Sequence, residues 1–172
     1  MKPEVQKHVE YASGYLDLKM YDEAVQEADI ALSFTPNLSQ AIAIKSAALW
    51  QANRLSEAEP FVAKLAELHP RDADIWINLA YIRRRTQSLD AAVDTLQHAF
   101  DANPQYALAH YNMACYRAMQ QREPEALELL KSAVHLDPKL KVLARAEPDF
   151  ADLRKTPGFQ EVLNGRAKPP SE

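Results

Sequence analysis

The chain is 172 residues long with a formal net charge of −4, enough for one ordinary domain with a sizeable core. Its 28 Ala and 20 Leu, against 18 Val, Ile and Thr together, favour helix over strand. Only 3 Gly and a single Cys exclude a glycine phosphate cradle, an internal disulfide framework and a Cys-based zinc cluster, and the acidic balance argues against general affinity for nucleic acid or anionic lipid.

The first eleven residues are polar and lack the apolar stretch of a secretory signal, and runs such as Ala47-Ala48-Leu49-Trp50 are too short to cross a bilayer. The expectation is a cytoplasmic protein away from the membrane, its one thiol suited to a reducing compartment. Helical periodicity and helix-end signals then predict helices over 4–18, 21–34, 38–52, 55–68, 72–86, 89–102, 106–120 and 123–136. Asp22, Ser56, Asp90 and Pro124 stand at or near the starts of alternate helices, where caps and a leading proline belong. Pro60 falls inside the fourth helix and is expected to kink or fray its first turn. Beyond Pro138, residues 139–146 begin another helix. Two short helices are expected after Pro148 and at Pro157, with Phe150, Leu153, Phe159, Val162 and Leu163 on their apolar faces. Residues 164–172 read as a frayed tail.

The order in this list is a repeat. Pro36, Pro70, Pro104 and Pro138 are each 34 residues apart and follow similar local sequence, as in Leu68-His69-Pro70 and Leu136-Asp137-Pro138. Four units result, 5–38, 39–72, 73–106 and 107–140. With each proline at position 32, position 20 is Ala24, Ala58, Ala92 and Ala126, position 27 is Ala31, Leu65, Ala99 and Ala133, and position 8 is Ala12, Ser46, Ala80 and Ala114. Small residues recur where two helices must approach closely, and larger ones such as Leu79, Met113, Leu96 and Leu130 fill the complementary places.

These residues resemble the tetratricopeptide repeat (TPR). Unit 3 carries the pattern best, with Trp76, Leu79, Ala80, Ala92, Leu96, Ala99 and Pro104. Unit 2 departs from it most, with Lys45 in place of a large apolar residue and Pro60 in its second helix. The resemblance implies an all-α, right-handed solenoid of four helix hairpins, forming one domain over 1–163 with a cap over 141–163. The C-terminal segment is similar to the end-of-group element that closes some bacterial TPR arrays, covering the apolar face that a stack leaves at its end. No matching cap precedes unit 1, so its outer face is a candidate homodimer contact.

Nothing in the chain forms a catalytic or metal-ligand constellation. His8, His69, His98, His110 and His135 make no HExxH pattern, and His110 at position 4 is expected to pack between helices. Cys115 lacks the base and orienting partner of a nucleophile. The expectation is a non-enzyme with no cofactor and no metal.

The resemblance directs attention to the concave face, lined by the first helix of each unit. Mapped onto this sequence it offers Trp50, Ile77, Asn78, Tyr81, Arg84, Arg85, Tyr111, Asn112, Cys115 and Met119 as peptide-binding residues. Asn78 and Asn112 share position 6, and an amide both donates to and accepts from a peptide backbone. Trp50, Ile77, Tyr81, Tyr111 and Met119 supply apolar and aromatic surface of the kind that anchors partners. Arg84 and Arg85 are suited to a carboxylate. Each has a plainer reading, as packing between repeats or as a solvated helix end. The carboxylate clamp of chaperone cofactors is missing from unit 1, where Val9 and Ser13 stand at the family's Lys and Asn positions. The expected function is an adaptor that binds a protein or peptide in the groove; the alternatives are a self-associating assembly element and an export chaperone.

Overall fold

The computed structural model describes residues 2–164. Eight helices come in four hairpins: α1 (Pro3–Asp17) with α2 (Tyr21–Phe34), α3 (Ser39–Gln51) with α4 (Leu55–Leu68), α5 (Ala73–Thr86) with α6 (Leu89–Ala102), and α7 (Ala107–Met119) with α8 (Glu123–Leu136). Each packs on the next, α2 against α3, α4 against α5 and α6 against α7, so the chain forms a right-handed α-solenoid. Then come α9 (Leu140–Ala146), 3₁₀ turns at Pro148–Phe150 and Leu153–Lys155, and α10 (Pro157–Asn164). No helix among the described residues is long and apolar enough to cross a membrane.

The proline that sets the repeat sits just past each second helix. One residue before it, the N–H of Thr35, His69, Asn103 and Asp137 bonds to the carbonyl of Ala31, Leu65, Ala99 and Ala133. The proline cannot continue that ladder, and the chain turns into the next unit. Within units 1, 2 and 4 the turn uses a left-handed residue, Lys19, Asn53 or Gln121, with φ of 60°, 59° and 60°. That conformation returns the next N–H to a carbonyl five residues back, as from Met20 to Tyr15 and Arg54 to Leu49. Unit 3 differs. Gln87 is not left-handed, and Ser88 enters α6 extended with its hydroxyl accepting from the Ala91 N–H at 3.0 Å.

This corrects two expectations. Asp22, Ser56 and Asp90 lie inside their helices as second residues, and the residues in the cap positions are Met20, Arg54, Ser88 and Arg122, of which Ser88 alone caps through its side chain. Pro124 does stand in the opening turn of α8. Pro60 leaves α4 unfrayed: the helix runs unbroken from Leu55 to Leu68 with Pro60 on its exposed side. As the sixth residue of the helix, Pro60 forgoes one ladder bond, to the Ser56 carbonyl, and the rest of the helix continues.

The core follows the repeat. The four alanines at position 20 are fully buried, as are Ala12, Ala80 and Ala114 at position 8. Lys45 fits in the place of an apolar residue because its stem lies beneath Phe61, with Nζ 4.0 Å from the ring centroid, and its charge ends on Asp29 at 2.5 Å. Trp76 and His110, both at position 4, reach back to the carbonyls of Pro70 (3.0 Å) and Pro104 (2.9 Å), so His110 does pack between helices, edge-on to Phe100.

The C-terminal segment covers the last hairpin. α10 lies on α8, and Gly158 permits the approach: a Cβ there would stand 2.6 Å from Leu127 Cδ1. Phe150 and Phe159 are fully buried, with Leu153 and Leu163 beside them. Asn164, expected in the tail, belongs to α10 and accepts a hydrogen bond from Arg145. The rest of that expected tail, 165–172, lies outside the described residues.

Candidate functional site

The concave face divides into two parts. At units 2 and 3 it is open. A hollow of about 630 Å³ lies between α3, α4 and α5, lined by residues that include Gln40, Ala43, Ala47, Trp50 and Asn78. The local cause is side-chain size. Ala43 and Ala47, one turn apart on α3, leave a gap through which Val62 and Leu65 of α4 form an apolar floor. Trp50 closes one end and stacks on Tyr81 of the next repeat, with centroids 5.0 Å apart and planes at 18°. The Arg85 guanidinium lies over the Tyr81 ring, 5.9 Å from its centroid. Among the described residues no ion pair holds Arg85, and Tyr81 remains 37% exposed. Asn78 is exposed at the rim. Trp50, Asn78, Tyr81 and Arg85 are therefore brought together on open surface. Ile77, half-buried, packs against the core of units 3 and 4, and Met119 lies exposed at the end of α7.

At unit 4 the groove is filled by the chain itself. The turn at Pro148–Phe150 lies on α7. Phe150 meets Tyr111 edge-on at 5.7 Å, and Glu147 accepts a hydrogen bond from the Tyr111 hydroxyl at 3.3 Å. Arg84 reaches across to fork onto Asp149, at 2.5 and 3.1 Å, and lies over the Tyr116 ring. Tyr111 and Cys115 are consequently 6% and 4% exposed. The expectation that Arg84, Tyr111 and Cys115 present open binding surface is thus corrected. An unpaired guanidinium and an uncovered aromatic found partners within the chain, 65 residues away in the case of Arg84. Asn112, half-buried, donates to the Leu108 carbonyl of its own helix, one turn back, at 2.8 Å.

Cys115 Sγ and carboxylate oxygens of Glu147 and Asp149 lie within 4.8 Å of one another, the one trio of metal-capable groups among the described residues. The donors are already committed. Arg84 neutralises Asp149, Tyr111 donates to Glu147, and burial pushes the Cys115 thiol upward so that it stays protonated. Burial raises the Tyr111 hydroxyl likewise, and raises Tyr116 to about 12. The trio is the polar seam beneath the cap.

Val62, Leu65 and His69, which also line the hollow, escaped the sequence reading because they lie on α4 or at its end, outside the first helices, and Asp72 and Ile75, at the start of α5, because they stand outside the family's groove positions. The two alanines at positions 5 and 9 of unit 2 were the available signal: small residues on a groove face let the second helix show through.

The TPR family described as "Psidin, N-terminal TPR repeats region" matches residues 11–133. Protein O-mannosyl-transferase TMTC3 of Homo sapiens is 29% identical over 123 residues, which cover 68% of this chain; the chain spans only 13% of that protein's length. A crystal structure of MamA superposes with a TM-score of 0.79 at 18% identity, covering 95% of this chain and 88% of that one. The structure of YrrB, described as a TPR protein with an unusual peptide-binding site, superposes with a TM-score of 0.70 at 17% identity, covering 91% and 81%.

Proposed function

We propose that this chain, which belongs to the tetratricopeptide-repeat family matched through the Psidin N-terminal repeat region, is a non-enzymatic adaptor that holds a peptide segment of a partner protein in the open part of its concave face, at units 2 and 3. The observation that carries this reading is the hollow of about 630 Å³ with the Trp50–Tyr81 stack at its edge. A cavity of this size takes a large apolar side chain with room for the backbone beside it. Val62 and Leu65 offer an apolar floor, Trp50, braced by the stacked Tyr81 ring, a flat wall, and Gln40, Gln51 and Asn78 amides at the rim for the backbone of an extended segment. Arg85 adds a cation for an acidic neighbour of the anchor. The peptide-binding site named for YrrB, a structure of the same fold, is consistent with this reading. The transferase activity named for the human relative belongs to a protein of which the matched stretch is a small fraction, and nothing in the site calls for it.

The test is a random peptide library displayed on phage and selected on the immobilised chain. Ala47→Trp fills the hollow from a half-buried place on α3, and Tyr81→Ala removes the ring that braces Trp50. Selected peptides are expected to share an apolar anchor and to lose binding to both variants by tenfold or more, with circular dichroism unchanged. Peptides that bind Ala47→Trp as tightly as the parent chain defeat the proposal.

A further inference from the structure

The four repeats act as controls for one another, and they single out the outer face of α1. In the first helices, positions 3, 7, 10 and 14 form one row, and in later units this row is packed against the preceding hairpin. At position 7, Leu79 and Met113 are 1% and 4% exposed, and at position 10 Ala48, Ile82 and Tyr116 are 0%, 0% and 2% exposed. In unit 1 the same row is Lys7, Tyr11, Gly14 and Leu18. Tyr11 is 48% exposed and Leu18 70%. The row lies opposite the buried face of Val5, Val9 and Ala12.

Gly14 adds a second observation. A glycine within a helix weakens it, and its usual compensation is a close approach by a neighbour. Here a Cβ would meet nothing within 4 Å. Among the described residues nothing accounts for the gap. Gly158, at the other end, does make such an approach, to Leu127.

We propose that the Lys7–Tyr11–Gly14–Leu18 row of α1 is a dimer interface that takes the same row of a second copy, antiparallel, about a two-fold axis beside residues 12 and 13. The row is self-complementary in that register. Tyr11 of one copy sits over Gly14 of the other, a large side chain against a vacant place, and Lys7 lies along Leu18, each contact occurring twice. Charge agrees with the fit: Lys7 of one copy comes alongside Asp17 of the other, and within the chain neither residue belongs to an ion pair among the described residues. The other end of the stack explains the choice of symmetry. α10 already covers α8, so a head-to-tail array would have to displace it, whereas a two-fold pair uses the α1 face, uncovered among the described residues, twice and closes.

The experiment is sedimentation of the 172-residue chain from low micromolar to near-millimolar concentration. A monomer–dimer equilibrium is expected. Gly14→Arg points into open space within the chain, so it should keep the parent's circular dichroism and thermal midpoint while weakening the dimer by about a hundredfold or more. Gly14→Ala should raise helix stability and weaken the dimer less. Mixing Tyr11→Cys with Gly14→Cys chains under oxidation should give the mixed disulfide in excess of either homodisulfide. A parent chain that stays monomeric throughout, a Gly14→Arg variant that dimerises as the parent does, or a statistical mixture of disulfides overturns the proposal.

Discussion

Replacing Phe150 by Ala tests whether the C-terminal segment holds the last hairpin closed. The ring is fully buried, edge-on to Tyr111 at 5.7 Å and tilted against Phe159 at 5.8 Å. Losing a fully buried phenyl ring costs about 3–5 kcal/mol, counting transfer and the cavity left behind. The two aromatic contacts account for about 0.5–1.5 kcal/mol each of that. The whole domain is expected to be stable by only about 5–15 kcal/mol, so the change consumes a large part of it. In a stacked array the loss falls first on the neighbouring unit. Urea unfolding followed by circular dichroism should therefore show the drop. Amide exchange should accelerate in α7, α8 and α10 while α1 and α2 keep the parent's protection. Phe34→Ala, at a ring 49% exposed, serves as the control and should cost below about 1 kcal/mol. A Phe150→Ala chain within about 1 kcal/mol of the parent, or one whose protection falls equally in α1 and α2, refutes the view that the cap locks the stack locally.

Ser88→Ala should destabilise the chain by about 1 kcal/mol in urea titration, because it removes the acceptor of the Ala91 N–H, whereas Ser56→Ala, inside α4 with no cap bond, should be near neutral; equal costs would refute the cap assignment. Alkali should unfold the protein. Tyr116 keeps its proton in the fold up to about 12 but releases it near 10 when exposed, so between these values the unfolded chain has lost a proton that the folded chain retains, and stability falls as pH rises through that window. Tyr111 and Cys115 push the same way. Tyrosinate absorbance from the buried rings should then appear together with the loss of helical signal, and all seven tyrosines ionising near 10 with helicity intact would contradict it. The Cys115 thiol, 4% exposed and held protonated, should react with a maleimide at least about a thousandfold more slowly in the native state than in denaturant; rapid native labelling would show the cap to be open.

The helices were legible because their signals are local. The eight repeat helices begin and end within a residue of their predicted bounds, since a proline every 34 residues and a face of small residues act through neighbours along the chain. The caps were less so: Met20 and Arg54 occupy cap positions with no capping side chain because a left-handed residue closes those turns instead, and φ is not written in the residue type of Lys19 or Gln121. Of the groove, the mapping placed Trp50, Asn78, Tyr81 and Arg85 on one face, yet it could not see that Arg84, one residue away, would be taken by Asp149.

What the sequence by itself determined is the stack: periodicity in small and large residues repeats at one interval, and each interval encodes the same hairpin through contacts of short range. Only the tertiary structure decided which part of the hollow face stays open. That depends on where Glu147, Asp149 and Phe150 land after nine helices have been laid down, a contact across 65 residues that no local pattern encodes. An uncovered guanidinium and an uncovered ring lower their free energy by finding any fitting partner, and the folded chain brought its own to unit 4 while leaving units 2 and 3 free.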